Sequence, residues 1–317
     1  MTSPSSSRVS VRVAIAAPGW SSGVGLGTVA LVSQPISIKV PIGVTLSDSY
    51  STIQVCDKLE SAPDGVVLDA TRTAKFEPIG AAIIAASVAE RRASGLSTRF
   101  RLPVDEEARH LIREIQLDRL IEGRSTDANG SLTIRQLSAL DPSYTASVAE
   151  LLEAVPGMDE ATAYPVQLCL NELLQNVFEW ANSRIGCIVL TRWFQKARNV
   201  RIAVVDRGVG IPARLRSLRI AGLHRAKDAE VIIAAVTHPK LTSRVGRAGG
   251  LGLKTIHETV TQRGGRLTVI SLGGKVAWNA KVQTISRAVQ FFRGTAIEID
   301  FRPDRPVKSQ HEYVSVF

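Results

Sequence analysis

"VVDRGVGIP", residues 204–212, decides how the second half of this chain is read. An apolar run of residues ends on Asp206, and Gly208 and Gly210 follow at alternate positions. A carboxylate at the end of an apolar strand is placed to accept a hydrogen bond from an exocyclic amine, which would select one base over another. Glycines beside it let the backbone approach a planar ring, because no Cβ stands in the way. Taken alone, the same pattern also describes an ordinary strand-to-loop turn. The sequence on either side decides between the two.

Upstream, "MDEATAYPVQLCLNELLQNVFEWANS" (158–183) carries apolar residues at helical spacing and predicts one long helix. Glu172 and Asn176 lie four residues apart and so stack on one face. The carboxylate can polarise a water or hydroxyl as general base, and the amide oxygen can take one coordination position on Mg²⁺. Such a pair also occurs on exposed helix edges. Downstream, "GRAGGLGLKTI" (246–256) sets Gly246, Gly249, Gly250 and Gly252 just before a predicted helix. Unblocked amides at a helix N-terminus favour anions by geometry and dipole. The glycines are not followed by the Lys-Ser/Thr pair of a P-loop. A second glycine run, Gly23-Val24-Gly25-Leu26-Gly27, leads into the strand-like "TVALVSQPISIKVPI" and reads as a loop or hairpin.

In order, ExxxN, DxGxG, GxxGGLGL and "GTAIEIDF" (294–301) resemble the N, G1, G2 and G3 boxes of the GHKL superfamily, over roughly residues 130–303. That superfamily includes DNA gyrase B, MutL-type mismatch-repair ATPases, Hsp90 chaperones, sensor histidine kinases and anti-sigma serine kinases. The resemblance implies ATP and Mg²⁺ as cofactors, Glu172 as general base and Asn176 as Mg²⁺ ligand. It implies that Asp206 binds the adenine amine, that Gly208 and Gly210 shape the pocket, and that Thr295 assists beside the base. Gly249, Gly250, Leu251 and Gly252 would hold phosphates, and residues 211–245 would form an ATP lid. Arg244 and Arg247 would approach the β- or γ-phosphate, or else are surface charge.

The resemblance also separates subfamilies. Sensor histidine kinases usually carry Asn where Glu172 stands, and their phosphoacceptor hairpin has no counterpart in the α/β pattern upstream. Gyrase and mismatch-repair ATPases complete their sites with a lysine from a following domain, whereas Phe301 is followed here by 16 residues including Lys308. The size of the ATP domain fits an anti-sigma serine kinase.

Residues 36–123 alternate strand and helix. "VVLDAT" (66–71) suits a buried strand, "IGAAIIAASVAERRASG" (79–95) an Ala-rich helix, "STRFRLP" a strand and "DEEARHLIREIQLDRLIEG" one further helix. This order resembles the STAS domain of anti-sigma-factor antagonists. In that family a phosphorylatable Ser precedes the helix-opening Gly, whereas Glu77-Pro78-Ile79-Gly80 stands here without the hydroxyl. The resemblance implies a docking or regulatory module that is not switched by phosphorylation at that position.

The 317 residues predict two domains of ordinary size, each with its own core. The expected layout is an extension at 1–35, a STAS-like domain at 36–123, a polar linker at 124–133, the ATP-binding domain at 134–303 and a tail at 304–317. The expected class is α/β (α+β), the second domain being a two-layer sandwich with helices on one mixed sheet. A net charge of +10 fits an anionic partner, nucleic acid among them, although the basic residues are scattered along the chain. Three widely spaced cysteines imply neither a disulfide framework nor a zinc site. The N-terminus lacks a secretion signal and no apolar run is long enough to span a bilayer, so a cytoplasmic location without membrane contact is expected. The expected function is Mg·ATP binding, with serine/threonine phosphotransfer to a protein partner, such as a STAS or sigma-factor-type regulator, or ATP hydrolysis. The alternatives are a non-catalytic ATP-dependent scaffold, or a slow ATPase coupled to homodimerisation and DNA binding.

Overall fold

The computed structural model describes residues 35–126, 133–220, 222–238, 252–286 and 290–305. The extension read at 1–34, with its glycine run, lies outside the described residues, as do 127–132 of the linker and 306–317 of the tail. Residues Ile36–Phe317 make one compact unit.

The unit opens with β1 (Ser37–Lys39), β2 (Gly43–Val44), α1 (Ser49–Ser61), β3 (Val66–Asp69), β4 (Lys75–Phe76), α2 (Pro78–Ala93), β5 (Thr98–Arg101), α3 (Glu106–Glu114) and α4 (Leu117–Ile121). Strands β1, β3 and β5 pair in parallel in that order, and β2 pairs with β4. Parallel pairing needs a crossover, which α1 and α2 supply. Where one helix is expected over "DEEARHLIREIQLDRLIEG", the chain breaks at Gln116, whose φ is 60°. The break re-aims the second half so that Leu117, Leu120 and Ile121 are all buried.

The second section runs through β6 (Arg135–Leu137), α5 (Pro142–Glu153), α6 (Glu160–Asn176), a π-helical turn (Val177–Ala181), β7 (Cys187–Phe194), β8 (Asn199–Asp206), α7 (Ile211–Ser217) and α8 (Asp228–Thr237). It ends with α9 (Gly252–Gln262), β9 (Arg266–Leu272), β10 (Gly274–Asn279), β11 (Gln283–Ile285) and β12 (Phe292–Phe301). Asp141 caps α5, its carboxylate accepting from the amides of Ser143 and Tyr144. Asp159 and Thr162 form a capping box at the start of α6. The long helix expected over 158–183 therefore ends as α-helix at Asn176.

Seven strands form one sheet in the order β11-β10-β9-β12-β8-β7-β6. The sequence predicts a mixed sheet, but every pair in it is antiparallel. The short β7–β8 and β9–β10 turns permit only antiparallel pairing, and β12 enters between β8 and β9 from outside sequence order. Strands β10 and β11 form a further hairpin, turned by amides of Lys281 and Val282 donating to Asn279 Oδ1.

Both faces of this sheet are covered. Val200, Ile202 and Val204 of β8 point inward with α5, α6, α8 and α9, in one core. Ala203 and Val205 point the other way, into a second core shared with α1 and α2. The strand period of two produces this division directly. Helix α2 is buried from Pro78 through Ala89, so it contacts its own parallel strands and the large sheet together. Hence the layer of helices expected on one face is joined by a second on the other, and the first section shares its core with the sheet. The reason lies in α2 itself, which is apolar all round and must be covered all round.

Cys56, Cys169 and Cys187 are buried free thiols, and no helix among the described residues is long and apolar enough to cross a membrane.

Candidate nucleotide site

Asp206 ends β8 on the inward face, buried, and Thr295 of β12 stands directly opposite it in the antiparallel register. The Gly208 amide donates to Asp206 Oδ1 at 2.8 Å, and the backbone and hydroxyl of Thr295 also hydrogen-bond the carboxyl group. Burial outweighs these donors and pushes the Asp206 carboxyl up to about 7. It is thus a carboxylate that changes protonation near neutrality.

The loop after Asp206 is held at close quarters. A Cβ on Gly208 would run into the backbone carbonyl of Ala181, to which the Val209 amide donates at 2.8 Å. Gly210 has φ +79°, and a Cβ there would meet Ser271 Oγ at 2.9 Å. Gly294, with φ +110°, lets β12 bulge just before Thr295, and a Cβ there would strike the Asp206 carbonyl.

Ser271, at the inward end of β9, ties these pieces together. Its Oγ accepts from the Ile211 amide at 3.0 Å, donates to the Gly294 carbonyl at 2.8 Å and lies 3.2 Å from Thr295 Oγ1. Sequence reading missed Ser271, because one serine closing an apolar strand carries no signal of its own. It missed Gly294 too, although a Gly immediately before Thr295 was there to be read.

Glu172 and Asn176 lie half-buried on the last turns of α6. Gly252, the first residue of α9, faces both of them. A Cβ at Gly252 would stand 2.6 Å from Glu172 Oε2 and 3.3 Å from Asn176 Nδ2. The structure therefore brings a carboxylate, an amide and a glycine-opened helix start into one place. Asn176 Nδ2 is buried without a hydrogen-bond partner among the described residues. Amide nitrogen and oxygen exchange places by a half-turn, so this orphaned position fits a cation ligand. Just beyond it, the Arg214 guanidinium lies 4.7 Å from the centre of the Trp180 ring.

Arg244, Arg247, Gly249, Gly250 and Leu251 lie outside the described residues. The stretch expected as an ATP lid, 211–245, carries α7 and α8 among its described residues. Helix α8 caps itself through Glu230 and buries Val231 and Ile232, with Ile232 against β10 at Gly274. Val231, Ile232, Ala235 and Val236 fall at helical spacing on one buried face, so 228–237 belongs to the body of the domain.

Residues 162–304 match the family described as histidine kinase-, DNA gyrase B-, and HSP90-like ATPase. These residues form a GHKL-type ATP-binding domain. No curated protein matches the chain in sequence. Among solved structures, the topoisomerase IV ATP-binding domain of Francisella tularensis, in complex with a small-molecule inhibitor, is 14% identical with a TM-score of 0.26, over 47% of this chain and 69% of that one. Full-length ShkA in complex with AMPPNP is 14% identical with a TM-score of 0.27, over 64% of this chain and 38% of that one. The match of the ATP-binding domain takes in α6, β7, β8, α9 and β12, the elements that carry Glu172, Asn176, Asp206, Gly252 and Thr295.

Proposed function

We propose that the ATP-binding domain holds Mg·ATP and transfers the γ-phosphoryl group to a hydroxyl of a protein partner, with Glu172 as general base. The observation that carries this reading is the approach of Glu172 and Asn176 to Gly252 at the start of α9. Asp206 reads the adenine amine, with Thr295 beside it and Gly208 and Gly210 leaving room for the ring. Gly252 presents its amide to the phosphates at the head of α9. Asn176 would contribute its oxygen to Mg²⁺, which when bound neutralises phosphate charge. Glu172 takes the proton from the attacking hydroxyl, or from water when no partner is docked.

The first section is read as a STAS-like docking module in cis. Ile79, at the position where that family carries its acceptor serine, is buried, and its amide donates to Glu298 Oε2 at 3.1 Å. This favours a regulatory role for the section over a role as substrate, and a partner in trans as the phosphate acceptor.

The test compares wild type with Glu172→Ala for ATP affinity by calorimetry and for phosphate release or transfer in the presence of cell extract. The expected result is affinity within a few-fold of wild type and a rate about 10² to 10⁴ lower. An unchanged rate removes Glu172 as base. Binding without any turnover in the wild type replaces the kinase reading with an ATP-dependent scaffold.

A further inference from the structure

We infer that Arg207 is a positioning residue for the adenine pocket and that Glu60 of α1 holds it, so that the first section sets the geometry of Asp206. The inference rests on the reading of Asp206 as the group that recognises the adenine amine.

Arg207 follows Asp206 directly, and the strand period sends the two side chains to opposite faces. Asp206 faces the pocket, while Arg207 follows Ala203 and Val205 onto the face covered by the first section. The Arg207 side chain is 1% exposed and forms an ion pair with Glu60. Its guanidinium lies 4.8 Å from the centre of the Phe292 ring, and its Nε and Nη2 are buried without a hydrogen-bond partner among the described residues, so Glu60 meets it by charge alone. Burial disfavours its charged form and Arg293 adds to this, while Cys56 and Asp57, one turn before Glu60 on α1, favour the charge.

Glu60 is partly exposed, at 41% of its side chain, but the backbone that carries it is fixed. The last turn of α1 is clamped by Arg91, a buried residue of α2 that donates to the carbonyls of Leu59 at 2.5 Å and Ala62 at 2.8 Å. The path from α2 to the pocket is then continuous: Arg91 fixes the end of α1, Glu60 fixes Arg207, and Arg207 fixes the backbone that carries Asp206 and Gly208. The Arg207 amide is itself held by Ser183 Oγ at 3.3 Å, so the backbone is pinned from the pocket side as well. With Glu60 gone, a buried guanidinium loses its ion-pair partner and leaves for solvent, drawing residues 206–208 with it.

The test measures affinities of full-length wild type and Glu60→Ala for ATP and for inosine triphosphate, which lacks the 6-amino group. Thermal melting without nucleotide is followed in parallel. In wild type, ATP should bind more tightly than inosine triphosphate. In Glu60→Ala, ATP should weaken about tenfold while inosine triphosphate changes less than about twofold, because a displaced Asp206 loses only the contact to the amine. An unchanged ratio, or equal weakening of both nucleotides, overturns the coupling while leaving the Asp206 reading intact. Equal binding of both nucleotides by wild type overturns the Asp206 reading and this inference with it. If Glu60→Ala does not fold, Glu60→Gln, which keeps an acceptor oxygen but not the charge, is read by the same outcomes.

Discussion

Asp206 and Glu298 are both buried carboxylates on paired strands of one sheet, but they face opposite ways. Burial pushes each up to about 7. Asp206 points inward and, among the described residues, accepts from its own loop and from Thr295. Glu298 points outward, lies near Arg201 and accepts the first-turn amide of α2. In the proposed reading one carboxylate serves the adenine amine, whereas the other joins two layers. The same shift in protonation thus accompanies two different roles, and the partners, not the pKa, tell them apart.

If both faces belong to one cooperative unit, core truncations on either side should cost alike. Leu170→Ala in α6 and Ile84→Ala in α2 should each lose about 3 kcal/mol in urea unfolding. Each should also retain a single transition. A separate early transition in Ile84→Ala would make the first section an independent domain.

The next comparison concerns binding. Asp206→Asn should weaken ATP about 100-fold by calorimetry, because a hydrogen bond to a charged group is lost and an amide presents its own donors. Glu298→Gln should leave the affinity within about twofold. Equal losses would erase the functional distinction between the faces.

Protonation should separate the two again. For both groups the folded pKa exceeds the unfolded value, so their stability contribution is full below about pH 4 and is lost as pH rises through about 7. Wild type should therefore lose about 2 to 3 kcal/mol from each of these groups between pH 5 and 8, and Asp206→Asn or Glu298→Gln should each flatten the profile. ATP affinity should rise over the same range, since the amine needs an ionised acceptor, and Glu298→Gln should keep that rise.

The smallest effect is expected at Gly252. Gly252→Ala pushes the far ends of the Glu172 and Asn176 side chains, so turnover should fall about tenfold with melting almost unchanged. A fall in stability as large as that of Ile84→Ala would place this contact in the core.

Much of the candidate site was legible because it is carried by spacing. Glu172 and Asn176 are one helical turn apart, Asp206 ends a strand, and Gly252 opens a helix, so local rules placed each on its element, whereas joining them into one site rested on the resemblance of their order to the GHKL boxes. What was not legible is long-range. Ser271 matters only because Ile211, Gly294 and Thr295 converge on it from three segments. The antiparallel order depends on where β12 inserts, which no local pattern encodes. Gln116 breaks a helix without the glycine or proline that would announce it. The double burial of α2 could have been read. "PIGAAIIAASVA" has no polar stripe, and the middles of β7 and β8 are apolar at consecutive positions, as strands covered on both faces are.

The π-helical turn at Val177–Ala181 fits one residue more than an α-helix would between Asn176 and the sheet. At 3.6 residues per turn, one residue amounts to a rotation of about 100°. That phase shift lets α6 keep its apolar stripe on the core while the Ala181 carbonyl swings round to the Val209 amide. A shortening by one residue here would restore a regular helix and turn that carbonyl away. The distance in sequence from Glu172 to the Asp206 loop is therefore a matched length, and a graft or chimera of this domain has to carry the surplus residue with it.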